Sequence, residues 1–322
     1  MDEHAPRQHH RRPRGPIPRT LARLARIPLW ALLIVMIGTL ALVLSFASAA
    51  PDYVAPPPPP SQTTPTPAPT PSSPPPSAPT LPQLGQAITT LENQYQAAIG
   101  VAISPAFTPP DMPVSAWHGG SLTSGYAWST IDLPIAVAVA ADTKEPPDLT
   151  YLLTQAFNES SPAGDQALWQ WLGDDQSAAD VTTAVLRAGT DENTTIPIGD
   201  PGTYAVYSQT QWALADQATW LGAAYCTPGS WYVMSFLSTP PQDQRFGLAR
   251  LANAMTKTSW GTQPNGALSV RQAALLTLGD GKKLAVSVAV VPMDKSLATA
   301  TTILNDLSFE LNTSASGLAG NC

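Results

Sequence analysis

What the sequence lacks narrows its chemistry first. Four histidines occur in 322 residues, and three of them, His4, His9 and His10, lie within the first ten positions. A Ser-His-Asp triad would therefore depend on His118, which sits in the glycine- and serine-rich stretch "HGGSLTSG". That setting reads as a solvated loop. Cysteine is scarcer still. Cys226 and Cys322 are the two present, without C-x-x-C spacing or a histidine cluster, so no metal site is expected, and no cofactor. Positive charge is also sparse beyond the first segment: from residue 51 onward there are 9 basic and 21 acidic residues. A chain with no basic patch is not expected to bind nucleic acid. Asp174, Asp175, Asp180, Asp191 and Glu192 lack the alternating spacing of a calcium loop and read as a solvated acidic surface.

What is present falls into four segments. Residues 1–26 carry seven arginines and two acidic residues. Residues 27–50, "IPLWALLIVMIGTLALVLSFASAA", are 24 positions without a charge. As a helix they would span about 36 Å, enough for a hydrocarbon core of ~30 Å, and the arginines place the N-terminus in the cytoplasm. The expectation is a single-pass signal-anchor in the plasma membrane with everything after it extracytoplasmic. A cleaved signal peptide is the alternative, because "ASA" at 47–49 resembles a cleavage site. Residues 51–82 hold 15 of the 35 prolines and read as an extended linker, reaching on the order of 100 Å at ~3.1 Å per residue. Residues 83–322 are long enough to bury a sizeable core. Outside the membrane a Cys226–Cys322 disulfide is permitted and would pin the last residue; the alternative is two free thiols.

Within 83–322 the hydrophobic period changes twice. "LPQLGQAITTLENQYQAAIG" (81–100) has helical spacing, and "GVAISPAF" (100–107) reads as a strand. A short strand is expected around Val114–Trp117. Helical segments then follow at 147–158, 163–173, 177–189, 208–225 and 228–238, with Gly173 and Gly189 placed as C-terminal caps. "AMTKTSW", "ALSVRQAALLTL" and "LAVSVAVV" are strand-like and joined through Asn265-Gly266 and Asp280-Gly281, and "DKSLATATTILNDLSFEL" closes as a helix. This is an α+β plan: one five-stranded antiparallel sheet built from both ends of the domain, flanked by helices, with an inserted helical lobe. The tryptophans at helical spacing, Trp169, Trp171, Trp212, Trp220 and Trp231 among them, read as core rather than as a glycan platform.

The stretch "AWSTIDLPIAVAVAA" (127–141) puts Ser129 at the start of an apolar helix. Without histidine, a serine nucleophile needs another base, and lysine one helical turn away is the usual one. Here that position is Asp132. The plainer reading is that Ser129 is an N-cap. In order along the chain follow "SSPAGDQALWQWLG" (160–173), "VLRAG" (185–189), "QRFGLA" (244–249), "KTSWG" (257–261) and "VRQ" (270–272).

That ordered set resembles the class A β-lactamase and penicillin-binding family, closest to its actinobacterial exported serine hydrolase branch, over about 83–311. The branch reads "AWST-x-K-V-P-L-A", then "SDNAAAE-x-LW-x-x-LG", then "V-L-R-x-A-G", "Q-R-W-G-L-G" and a "K-T-G" or "K-G-G-W-G" strand. The resemblance implies Ser129 as nucleophile, Ser160 as the serine of the second motif, and Lys257, Thr258 and Ser259 as the third. Trp260 would supply an oxyanion N–H beside that of Ser129. The departures fall on proton transfer: Asp132 replaces lysine, and Ser161 and Pro162 replace the aspartate and asparagine. In a first helical turn the dipole holds an aspartate charged, which makes it a weak base. Lys257 acting through Ser160 would be one escape, whereas pairing with Asp132 would keep the lysine protonated.

The expectation is a catalytically impaired domain that binds a cell-wall peptide or an envelope protein. An active, atypical serine hydrolase using Ser129 with Lys257 is one alternative, and a scaffolding module without a ligand is another. The oligomeric state is left open.

Overall fold

The computed structural model describes residues 81–322, apart from 110–115, 143, 145, 201 and 203. The expected anchor and linker lie outside the described residues. Among the described residues no helix is long and apolar enough to cross a membrane.

Helix α1 (Leu81–Tyr95) leads into strand β1 (Ala97–Pro105), followed by β2 (Trp117–Gly120) and β3 (Ser124–Tyr126). A 3-10 turn (Trp128–Ile131) opens directly into α2 (Asp132–Ala141). The lobe continues through α3 (Leu149–Leu153), a π turn (Thr154–Asn158), α4 (Pro162–Trp171) and α5 (Asp175–Ala188). Then come β4 (Gln211–Ala213), α6 (Leu214–Cys226) and α7 (Ser230–Ser235). The chain returns through β5 (Met255–Thr262), β6 (Leu268–Thr277) and β7 (Lys283–Pro292) to α8 (Leu297–Ser314).

The main sheet has the order β2-β1-β7-β6-β5, antiparallel throughout, as the sequence plan anticipates. Both faces are covered, and the period-2 rule sorts the side chains between them. Ile99, Val101, Ile103, Val286, Val288 and Val290 face α1 and α8, where Leu84, Ile88, Ile303 and Leu307 meet them. Ala273, Leu275 and Ala285 face the helical lobe and pack with Trp212, Trp220 and Leu221. The same alternation sends Lys257 and Ser259 toward the lobe and Thr258 and Trp260 away from it.

Several expectations need correction. Helix α1 stops at Tyr95, because Gln96 takes left-handed backbone (φ 48) and residues 97–99 pair with 290–292 in the sheet. Pairing with β1 likewise makes Trp117–Gly120 a strand, where a loop was expected from His118 onward. Segment 208–225 is not one helix. Gln211–Ala213 pairs with β3, so tertiary pairing overrides local propensity before α6 begins. Gly189 does cap α5, as expected, but without positive φ (−93), whereas Gly173 follows the Leu172 cap of α4 at φ 114. Gly189 is there for closeness: an added Cβ would lie 2.4 Å from the Trp220 ring. Trp169, Trp212 and Trp220 are core, whereas Trp171 and Trp231 are 38% and 64% exposed. Both hairpin glycines, Gly266 and Gly281, close their turns with positive φ, and Cys226 is bonded to Cys322.

The acidic residues between α4 and α6 serve the backbone and neighbouring side chains. Asp174 caps α5 by accepting from Ser177 N (2.8 Å), Asp175 accepts from Trp169 Nε1, and Asp191 accepts from Trp212 Nε1 (2.8 Å).

Candidate functional site

The turn carrying Ser129 is built from its neighbours upward. Trp128 takes φ 49, an uncommon conformation for a bulky residue that survives only where surroundings impose it. The Trp128 ring sits among Tyr126 (5.2 Å between centroids), Tyr204 (5.0 Å) and the backbone of Gly261, where a Cβ would come within 2.6 Å of the ring. Beneath the turn, Thr130 Oγ1 donates to the Ala127 carbonyl (2.6 Å) and accepts from Gln217 Nε2 (2.9 Å). Gln217 Oε1 in turn accepts from Arg271 Nε (2.8 Å) and from the Ser287 hydroxyl. Arg271, wholly buried, also donates to the carbonyls of Gly125 and Trp212 (3.0 Å each). Burial pulls its guanidinium down to about 9, and no carboxylate pairs with it among the described residues.

Ser129 is not a helix cap. The N-cap of α2 is Ile131, and no side chain caps it. The Ser129 hydroxyl is half-buried and lies 3.5 Å from Asp165 Oδ2, a long hydrogen bond.

Asp132 begins α2 and is 1% exposed; Asp165, in the first turn of α4, is 7% exposed. As ionised groups both are acceptors only, and neither Asp132 oxygen then has a donor. Burial, followed by the charge of Asp165, holds the Asp132 carboxyl well above the carboxylate range; Lys257 and Ser129 offset this only in part. Burial raises Asp165 too, against the opposing effects of Lys257, Asp132 and Ser129. A proton on either carboxyl relieves the repulsion between the two acids and part of the cost of burying them. Tyr207, stacked on Trp169 at 4.7 Å, is raised by burial and then by both carboxyls.

Lys257 projects from β5 into this cluster and is 2% exposed. Its Nζ lies 3.7 Å from Asp132 Oδ2, donates to the Ala156 carbonyl (2.7 Å) and sits 4.9 Å from the centre of the Phe157 ring. The pairing of Asp132 with Lys257 weighed from the sequence is thus present in the structure. Ser160, left-handed at φ 52, instead accepts from Gln244 Nε2 (2.8 Å). Among the described residues no hydrogen bond joins Lys257 to Ser160, or Ser160 to Ser129. Ser259 donates to the Ala127 carbonyl (3.3 Å) and props the Ser129 turn. Thr258 accepts from Gln272 on the opposite face, and the Trp260 ring packs toward Phe246 there. His118 is exposed on β2, at the far edge of the sheet from β5.

The residue that sequence reasoning missed is Asp165. It stands where the resembled pattern "SDNAAAE" has its third alanine, and that mismatch was the available signal.

The carboxyl pair makes stability depend on pH. Both groups bind their proton more tightly folded than unfolded, where an aspartate titrates near ~3.9. Their contribution is complete below that value and is lost as pH rises through the folded values. Asp216, raised by burial, acts in the same sense, while the lowered acids Glu92, Asp174, Asp280 and Asp294 act at lower pH. The urea midpoint is therefore expected to fall as pH rises above the usual aspartate range. Asp132→Asn should flatten that fall; an unaltered pH slope in the variant would refute a raised Asp132 carboxyl.

No protein-family model matches the sequence, and no curated protein does. Solved structures do match. TLA-3 extended-spectrum β-lactamase superposes with a TM-score of 0.56 at 13% identity, over 72% of this chain and 98% of that one. A β-lactamase from Chitinophaga pinensis gives 0.57 at 13% identity, over 71% and 98%. The chromosome-encoded β-lactamase of Vibrio parahaemolyticus gives 0.53 at 14%, over 71% and 97%. The domain that begins at α1 has the fold of the class A β-lactamases.

Proposed function

We propose that the chain is an extracytoplasmic β-lactamase-like domain that no longer turns over acyl substrates and instead binds a cell-wall peptide or an envelope protein. The observation that carries this reading is Asp132, a buried carboxyl one helical turn from Ser129 and 3.7 Å from Lys257. Acyl transfer from serine needs a group able to take the hydroxyl proton near neutral pH. The lysine near this serine donates to the Ala156 carbonyl (2.7 Å) and faces Asp132 at 3.7 Å, so no free amine is aimed at the Ser129 hydroxyl. A negative charge developing on Ser129 would form beside two carboxyls, which opposes it. The seven arginines, the 24-residue uncharged run and the proline-rich stretch support a membrane anchor with a long tether.

Intact-mass spectrometry of the full chain after incubation with a fluorescent penicillin tests the reading. Wild type and Ser129→Ala are expected to stay unlabelled. The double variant Asp132→Lys, Asp165→Ala restores the pattern's lysine and alanine at these two positions and is expected to gain one adduct. A wild-type adduct that disappears in Ser129→Ala would sink the proposal. Binding of peptidoglycan stem peptides, measured by calorimetry, should survive Ser129→Ala.

A further inference from the structure

A second concave site lies at the opposite end of α2 from Asp132, about 15 Å along a ten-residue helix. It has a volume of about 210 Å³ and is walled by the ends of α2, α5 and α6 and by the loop 227–230. Trp220, Val137 and Ala224 form its buried floor, and Ala141 and Ala188 stand exposed at its rim. It is open to solvent without unfolding.

The chemistry of the walls is restrictive. No charged side chain lines the pocket. The Trp220 Nε1 proton already goes to the Val185 carbonyl (3.2 Å), and the Thr227 hydroxyl to the Ala223 carbonyl (3.1 Å). One polar group is left over. Ser230, 3% exposed, lines the pocket, and its hydroxyl makes no hydrogen bond within the protein among the described residues. A hydroxyl that faces the pocket without a protein partner is free to bond a polar group of a ligand. An apolar cavity of ~150 Å³ is known to admit a benzene ring, so this one has room for a ring with a substituent.

We propose that this pocket binds a small, uncharged molecule made of one apolar ring and one hydroxyl or carbonyl group. The ring covers Trp220 and the polar group meets Ser230. The site is independent of Ser129, since it draws on none of the residues around that serine. Its ligand would instead bear on α2, the helix whose first residue is Asp132.

Phenol and toluene are suitable probes, titrated calorimetrically into the full chain. Phenol is expected to bind one to one, and toluene more weakly. Ala188→Phe places a ring over the mouth from an exposed position and should weaken phenol at least tenfold; Ala141→Phe, from the opposite rim, serves if the first variant melts early. Ser230→Ala should weaken phenol about three- to tenfold, the range expected for one hydrogen bond, and leave toluene unchanged. No saturable phenol binding, or phenol binding that ignores both rim variants, would overturn the proposal. Equal losses for phenol and toluene in Ser230→Ala would overturn the role given to its hydroxyl.

Discussion

Replacing Arg271 by leucine is expected to cost the domain about 3–5 kcal/mol, read from the urea midpoint. The guanidinium is wholly buried, and its partners are Gln217 Oε1 and main-chain carbonyls of Gly125, Tyr126 and Trp212. Leucine fills part of the volume but donates nothing. Each carbonyl left without a donor in a closed interior costs about 1–3 kcal/mol. Gln217 would also lose the anchor through which it holds Thr130 beneath the Ser129 turn. The double variant Asp132→Lys, Asp165→Ala should then lose its gain in penicillin labelling when Arg271→Leu is added. A midpoint within experimental error of wild type would show that the buried guanidinium is dispensable.

The second large effect is expected from the disulfide. Cys226 ends α6 and Cys322 is the last residue, 96 positions later. The loop so closed contains β5, β6, β7 and α8, the half of the sheet that presents Lys257. In the chain-entropy account, closing a loop of that length restricts the unfolded chain by about 4–5 kcal/mol. Cys322→Ser should therefore lower stability by roughly 4 kcal/mol, and reducing the wild type should give the same thermal midpoint as the variant. Gly320 exchanges two main-chain hydrogen bonds with Lys283 (2.9 and 3.0 Å), so the tail should fray once the sulfurs part. A fully reduced wild type melting at its oxidised temperature would contradict this account.

The sheet was the more legible half of the molecule because its signals are local. Strands β5, β6 and β7 are strand-length runs set off from one another by Asn265-Gly266 and Asp280-Gly281, which mark the turns between them. The misread stretches share one physical cause. Gln211–Ala213 and Trp117–Gly120 become strands only because a distant segment pairs with them, which no window of sequence reveals. The site was legible in part. Ser129, Asp132 and Lys257 stand at positions of an ordered pattern, and the structure brings Asp132 and Lys257 together. Asp165 was hidden because an aspartate in a first helical turn looks like ordinary helix chemistry. Its meaning depends on Asp132 lying across from it, a pairing 33 positions apart in sequence.

The left-handed Trp128 has a consequence for how such a chain accumulates substitutions over generations. The shape of the Ser129 turn rests on Gly261, Tyr126, Tyr204 and the Arg271–Gln217–Thr130 network. Proton inventory rests on a different set, Asp132, Asp165 and Lys257. Selection on folding holds the first set in shape, and reaches the second only through the cost of burying its charges and their protons. A lineage with this architecture can drift into or out of reactivity through two acidic positions, while the loop that presents its serine stays where it was.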